Sequence, residues 1–323
     1  MVYLQAQLHT ISLHFRHITN LPPVYTYAIL LTMEQRNKGK LNWLQHNLPE
    51  GLVVDSAWLQ GRGYSSALRS KYAASGWLEQ VARGVYRRPA AHLQTEKEDE
   101  RLRWQNVVIS LQMVLDCPLI VGGRTALELQ GFAHYLSPKG QGEVHLYGDA
   151  PLPTWVGKVK LDTRFVFHNA KKLFRNEPIA SSLGQGANLT TQEHSGTDSL
   201  GGGLARQTWG QWNWSLTMSS PERAIMELLD EVPERETFHQ ADMLMEGLRN
   251  LSPRRLQNLL VNCRSVKVKR LFFWFSERHN HAWLPKLKRK EIDLGSGKRM
   301  LVRGGKLDRK FNITVPEKLD AGG

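Results

Sequence analysis

Apolar residues recur at helical spacing from the first third of the chain onward. Leu41, Trp43, Leu44 and Leu48 mark a helix over residues 34–47, closed by Pro49-Glu50-Gly51. A short extended run, Leu52-Val53-Val54, comes next. Asp55 or Ser56 is placed to cap a short helix carrying Trp58 and Leu59, and Gly61, Arg62 and Gly63 supply the flexible positions of a tight turn. Ser65 is a second N-cap. Leu68 and Tyr72, four residues apart, define the buried face of the next helix and leave Ser66, Arg69 and Ser70 for the other face. Gly76 stops that helix, after which residues 77–81 and 85–88 read as two strands joined by Ala82-Arg83-Gly84. Helix, turn, helix and a two-stranded wing thus occur in order.

The pattern continues differently beyond a polar, charged stretch at 93–100. Leu102, Trp104, Val107, Val108, Leu111 and Leu115 predict a long helix, and Val121-Gly122-Gly123 reads as a glycine turn opening another. Residues 143–147, 155–161 and 164–168 read as strands, and 181–203, rich in Ser, Gly and Thr, as an exposed loop before a strand over 209–216. Ser220 and Pro221 open a helix whose buried side is Ala224, Ile225, Leu228 and Leu229. Helices over 238–251 and 253–262 follow, then 267–283, whose Leu271, Phe272, Trp274 and Phe275 read as core. The expected class is α+β. Residues 1–32 form an N-terminal extension and 33–92 a winged helix-turn-helix. A larger mixed α/β domain covers 93–316, with a flexible loop at 181–207, and 317–323 are a tail.

Composition adds size and charge to this outline. With 323 residues, 41% of them apolar, the chain is long enough for two cores. The net charge of +13 points to a polyanionic partner, and its distribution says more than its total. Residues 34–90 hold nine basic and four acidic side chains, and 264–310 hold fifteen and four. Residues 91–263 hold seventeen and twenty. Two cysteines, Cys117 and Cys263, are too few for a disulfide framework or a zinc cluster and fit a reducing cytoplasm. Residues 1–32 carry one Arg, no Lys and no acid, and their apolar run at 28–31 is too short for a membrane span or a signal peptide. Met33 is therefore the expected native start, and intact mass of protein made from the native gene checks it.

The second helix of the turn motif has a small, polar, cationic face suited to a DNA major groove. Ser65, Ser66, Arg69, Ser70 and Lys71 are expected to face the groove, with Arg69 reading guanine, while Arg83, Arg87 and Arg88 hold phosphates. A second polyanion surface is expected from Lys267, Lys269, Arg270, Lys286, Lys288, Arg289, Lys290, Lys298 and Arg299. The plainer alternatives are a winged fold that binds protein and a basic face that is merely solvated. Catalytic motifs fail on inspection. Gly-Gly, a short helix and a strand bearing Asp-x-Asp make a nucleotidyltransferase metal site, whereas Glu143-Val144-His145 offers one carboxylate. The 295–299 run lacks phosphate-loop spacing, and His279 and His281 have no partners completing a zinc site. No catalytic residue, metal or cofactor is expected.

Three stretches carry a family resemblance. They are Tyr72-Ala73-Ala74-Ser75-Gly76-Trp77-Leu78-Glu79-Gln80-Val81-Ala82-Arg83-Gly84-Val85-Tyr86, then residues 122–131 from Gly122-Gly123-Arg124 to Gln130-Gly131, then Ser220-Pro221-Glu222-Arg223-Ala224. Together with the basic run from Lys269 to Leu307, the chain over 34–316 resembles the AbiEi antitoxins of type IV, abortive-infection toxin-antitoxin systems. The resemblance implies a winged domain that binds operator DNA and represses its own operon. It also implies a second domain that counters a nucleotidyltransferase toxin without necessarily forming a complex with it. A nucleic-acid-processing enzyme built on 122–146 and a stand-alone winged-helix regulator are the alternatives, and a nucleotidyltransferase reading frame next to the gene separates the last from an antitoxin.

Overall fold

The computed structural model describes residues 39–89, 102–132, 142–175, 203–210 and 212–319. The expectations for the N-terminal extension, the Met33 start, the polar stretch near 93–100, residues 181–202 and the end of the tail fall outside these. The chain divides into two compact units, 1–49 and 50–323. In the first, residues 39–47 form helix α1, with Leu44 and Leu48 buried and Trp43 exposed.

The second unit opens with the winged module. Strand β1 (Val53–Asp55) runs into α2 (Ser56–Gly61), whose first turn is capped by Asp55 Oδ1 accepting from Trp58 N at 2.8 Å. Ser65 caps α3 (Ser66–Ala74) through its Oγ, which accepts from Leu68 N at 3.3 Å. Gly76 ends α3 at φ 74°, a left-handed conformation that glycine adopts without steric cost. Strands β2 (Glu79–Ala82) and β3 (Val85–Arg87) are the wing, and β1 adds antiparallel to β3 to give the order β1-β3-β2. Leu52, Val53, Val54, Leu59, Tyr64, Leu78 and Val85 fill its interior.

Helix α4 (Trp104–Met113) leads into a five-stranded sheet made of β4 (Leu119–Val121), β5 (Gly142–Gly148), β6 (Thr163–Asn169), β7 (Leu204–Trp209) and β8 (Trp214–Ser219). The order is β6-β5-β4-β8-β7, with β5/β6 and β4/β8 parallel and the other pairs antiparallel. Two expectations change here. Residues 155–161 contain a 3₁₀ turn, Val156–Lys158, rather than a strand. The stretch 204–216 is not a loop followed by one strand over 209–216: residues 204–207 belong to β7, and Gly210 and Asn213, at φ 71° and 50°, reverse the chain so that β7 ends at Trp209 and β8 starts at Trp214.

Helix α5 (Gly123–Leu129) packs on β5 and on α6 (Pro221–Glu231). Pro221 stands in the first turn of α6 as expected, but the Ser220 hydroxyl makes no cap bond. Helices α7 (Phe238–Gly247), α8 (Pro253–Asn262) and α9 (Val266–Arg278) gather around α6, and Leu271, Phe272, Phe273 and Phe275 are buried. A small sheet of β9 (Arg299–Met300), β10 (Lys306–Asp308) and β11 (Ile313–Val315), ordered β10-β11-β9, completes the chain. The protein is α+β, a winged N-terminal part followed by a larger α/β part. Among the described residues no helix is long and apolar enough to cross a membrane.

Candidate nucleic-acid interface

The exposed face of α3 presents Ser66, Ala67, Ser70 and Lys71, with the Ser65 cap exposed beside them. Small side chains keep the helix backbone close to whatever the face meets. Arg83 is exposed at the wing tip, in the turn where Gly84 adopts φ 76°.

Arg69 differs from the expectation. It lies three residues before Tyr72, so it shares the buried face of α3 and is only 8% exposed. Its Nη1 donates to Tyr64 O at 2.8 Å and to Ser56 O at 3.4 Å, which ties α3 back to the turn and to the start of α2. Below it Tyr64 and Tyr72 meet edge-on with centroids 6.2 Å apart, and burial pushes the Tyr64 hydroxyl up to about 12. Arg69 is a brace of the turn.

Arg87 and Arg88 are also engaged. Glu79 and Arg87 are cross-strand partners in register, and Arg87 Nε and Nη2 reach Glu79 Oε2 at 2.9 and 2.5 Å. Arg88 Nη2 reaches Glu50 Oε1 at 3.0 Å. Each of these guanidiniums is already offset by a carboxylate. Lys71 and Arg83 are the exposed cations of the expected set that have no ion pair among the described residues.

The second basic set divides likewise. Lys269 and Arg270 are buried, 3% and 2% exposed. Arg270 donates to Leu294 O (2.8 Å), Gly297 O (2.7 Å), Gly295 O (3.0 Å) and Asn312 O (3.2 Å), pinning the 294–297 loop to α9. Lys267 Nζ donates to Asp230 O and Val232 O at the end of α6, where a cation meets the negative end of the helix dipole. Arg289 stands over the rings of Phe273 and Phe311 and pairs with Glu277 at 2.9 Å. Lys286, Lys288, Lys290, Lys298 and Arg299 remain exposed, Lys288 with Glu291 at 3.3 Å.

The Gly122-Gly123 turn is filled from within. Gly123 N donates to Glu227 Oε2 at 2.9 Å, and Ser219 Oγ donates to the same oxygen at 2.7 Å. Arg223 Nε holds the other oxygen at 2.8 Å. A Cβ on Gly122 would stand 2.3 Å from Glu227 Oε2 and 2.4 Å from Tyr147 Cδ2, so only glycine fits.

Beyond it, Glu143, His145 and Tyr147 alternate onto one face of β5. His145 Nδ1 lies 3.0 Å from His168 Nε2, and His168 Nδ1 lies 3.2 Å from Glu231 Oε1. Burial, then the neighbouring His168, lowers His145 to about 4, so its ring is neutral at pH 7. Burial raises the Glu231 carboxyl, but the bond from His168 and the nearby cations outweigh it and hold the group below its ordinary value. Arg164 pairs with Glu143 and holds that carboxyl down, whereas burial raises Glu236 despite its pairing with Arg124. His168 and Glu231 were not singled out from sequence. The period-two run 143, 145, 147 is the signal that marks their partners. Among the described residues no group of three or more His, Cys, Asp or Glu is placed to hold a metal ion.

Two family models match the chain. One, described as transcriptional regulator, AbiEi antitoxin N-terminal domain, covers residues 37–138, and the other, transcriptional regulator, AbiEi antitoxin, type IV TA system, covers 141–316. The chain belongs to the AbiEi antitoxin family of type IV toxin-antitoxin systems. As an AbiEi family member it is of the transcriptional-regulator antitoxin kind, and the matches span both the winged module and the helical and sheet region behind it. Among solved structures, the RV2827C protein from Mycobacterium tuberculosis is similar over 87% of this chain and 90% of that one, at 12% identity and a TM-score of 0.47. No curated protein matches.

Proposed function

We propose that this AbiEi antitoxin binds operator DNA through its winged module, represses its own operon and counters a nucleotidyltransferase toxin without catalysing a reaction itself. The observation that carries the DNA reading is the exposed face of α3, where Ser65, Ser66, Ser70 and Lys71 stand together on a helix followed directly by a wing tipped with Arg83. Lys71 and Arg83 contact phosphate or base edges, while Arg69, Arg87 and Arg88 shape the module instead of touching the duplex. Lys286, Lys288, Lys290, Lys298 and Arg299 are a second cationic surface in the 141–316 region. The non-enzymatic reading is supported by the Gly-Gly turn, whose first helical amide is taken by Glu227. It is supported also by Glu143, engaged by Arg164.

The test is anisotropy titration of a duplex from the promoter of its own gene across a salt series. Lys71→Ala with Arg83→Ala lowers affinity and flattens the log–log salt slope by about 0.9 for each phosphate that is no longer neutralised. Equal affinity of the wild type for promoter and scrambled duplex would sink the operator reading. Antitoxicity is read separately, as growth rescue of cells expressing a neighbouring nucleotidyltransferase gene, and failure to rescue would remove the antitoxin function.

A further inference from the structure

Helix α4 is bonded on both of its sides. Toward the winged module, Ser110 Oγ accepts the Val53 N–H of β1 at 2.8 Å, and Asn106 Nδ2 donates to Gly51 O at 3.2 Å. Just past the helix end, Val114 O accepts the Trp58 indole N–H of α2 at 3.0 Å. Toward the sheet, Gln112 bonds to backbone as a neighbouring strand would. β4 and β8 are in register at Val121 and Met218 alone. Beside that pair Gln112 Nε2 donates to Leu119 O at 3.1 Å and to Thr217 O at 2.8 Å, and its Oε1 accepts from Thr217 N at 2.9 Å. Ser110 and Gln112 are two residues apart, about 200° around the helix, so one short turn of α4 serves both partners.

Ser110 is fully buried and Gln112 nearly so. Displacing β1 from α4 leaves the Val53 N–H without a partner in a site closed to water, and displacing α4 from the sheet strands three groups on β4 and β8. The winged module and the sheet therefore do not move independently. We infer that α4 couples the two: DNA held by α3 stiffens β4 and β8, and whatever loads the sheet changes DNA affinity by the same factor. The DNA half of this statement rests on the proposed function above.

Hydrogen exchange of the full chain, with and without the promoter duplex, reads the coupling. Exchange slows in residues 53–88 and, by about fivefold or more, also in 214–219. Ser110→Ala, or the milder Asn106→Ala at a half-buried position, removes the slowing in 214–219 and keeps that in 66–88. Slowing confined to 53–88 in the wild type overturns the coupling. A second arm needs no DNA: Gln112→Ala, which cuts only the sheet side, accelerates exchange of the Val53 amide by a like factor. An unchanged Val53 rate overturns the coupling whether or not DNA binds, whereas absence of duplex binding alone overturns only the DNA reading.

Discussion

Replacing Arg69 separates a brace from a reader. Its guanidinium makes a 2.8 Å bond to Tyr64 O and a longer one to Ser56 O, at a position 8% exposed. A hydrogen bond from a charged donor contributes about 1.5–3 kcal/mol, and Arg69→Ala also removes two buried methylenes at about 0.8 kcal/mol each. With partial relaxation and water reaching the carbonyls, the expected loss is about 3 kcal/mol. Urea unfolding followed by circular dichroism should show the midpoint fall at unchanged slope, whereas Lys71→Ala, on the exposed face, stays within about 0.5 kcal/mol of wild type.

Binding supplies the opposite contrast. Without urea, at a temperature where the Arg69→Ala chain is still folded, competition between duplexes with single base-pair changes should give the wild-type order of preference. A side chain that read guanine would instead contribute about 1–3 kcal/mol of discrimination at one base pair. An unchanged unfolding midpoint together with relaxed preference at one position would refute the brace.

Two further perturbations test the interior of the second part. Because His145 is lowered to about 4 in the folded chain against 6.5 unfolded, the unfolded state takes the proton first as pH falls; stability is intact above about 6.5 and declines by up to about 3 kcal/mol toward pH 4. His145→Gln should flatten the slope of unfolding free energy across that window, and parallel wild-type and variant curves would remove His145 as the cause. Arg270→Met strips the carbonyls of Leu294, Gly295 and Gly297 of their donor, while Asn312 O keeps the Arg299 N–H, and should cost about 3 kcal/mol in thermal or urea unfolding, with Arg270→Lys recovering only part. A loss no greater than that of exposed Lys298→Ala would show that the 294–297 loop is held by something else.

What the sequence made legible follows from which forces act locally. Caps and turns depend on neighbours, so Asp55, Ser65, Gly76 and Gly84 could be placed from spacing alone, and the winged order followed. Leu271, Phe272 and Phe275 of α9 declared themselves as core for the same reason, whereas Trp274, expected among them, is only half-buried. The roles of charged residues depend on distant partners. Residue type alone puts Arg69 on the groove side, whereas its i,i+3 spacing to Tyr72 puts it on the buried face. Arg270 has no such local sign: its acceptors lie 24 to 42 residues away. Glu227, 104 residues from the Gly123 amide it caps, is likewise invisible to periodicity.

Those distant partners alter what the net charge of +13 means. Arg69, Arg87, Arg88, Lys267, Lys269, Arg270 and Arg289 are each engaged by a carbonyl, a carboxylate, a ring or burial within the fold. A residue count over 53–88 would assign the winged module six cations, whereas Lys71 and Arg83 are those the α3 face and wing tip present without an ion pair among the described residues. Counterion release scales with phosphates neutralised and not with formal charge. Two phosphates neutralised at the module correspond to a log–log salt slope of about −2 per chain, far shallower than the formal charge suggests. A measured slope near −2 that the Lys71→Ala, Arg83→Ala pair abolishes would localise the electrostatic contact to this module. A much steeper slope that survives the pair would assign the remainder to the second surface around Lys286, Lys290, Lys298 and Arg299.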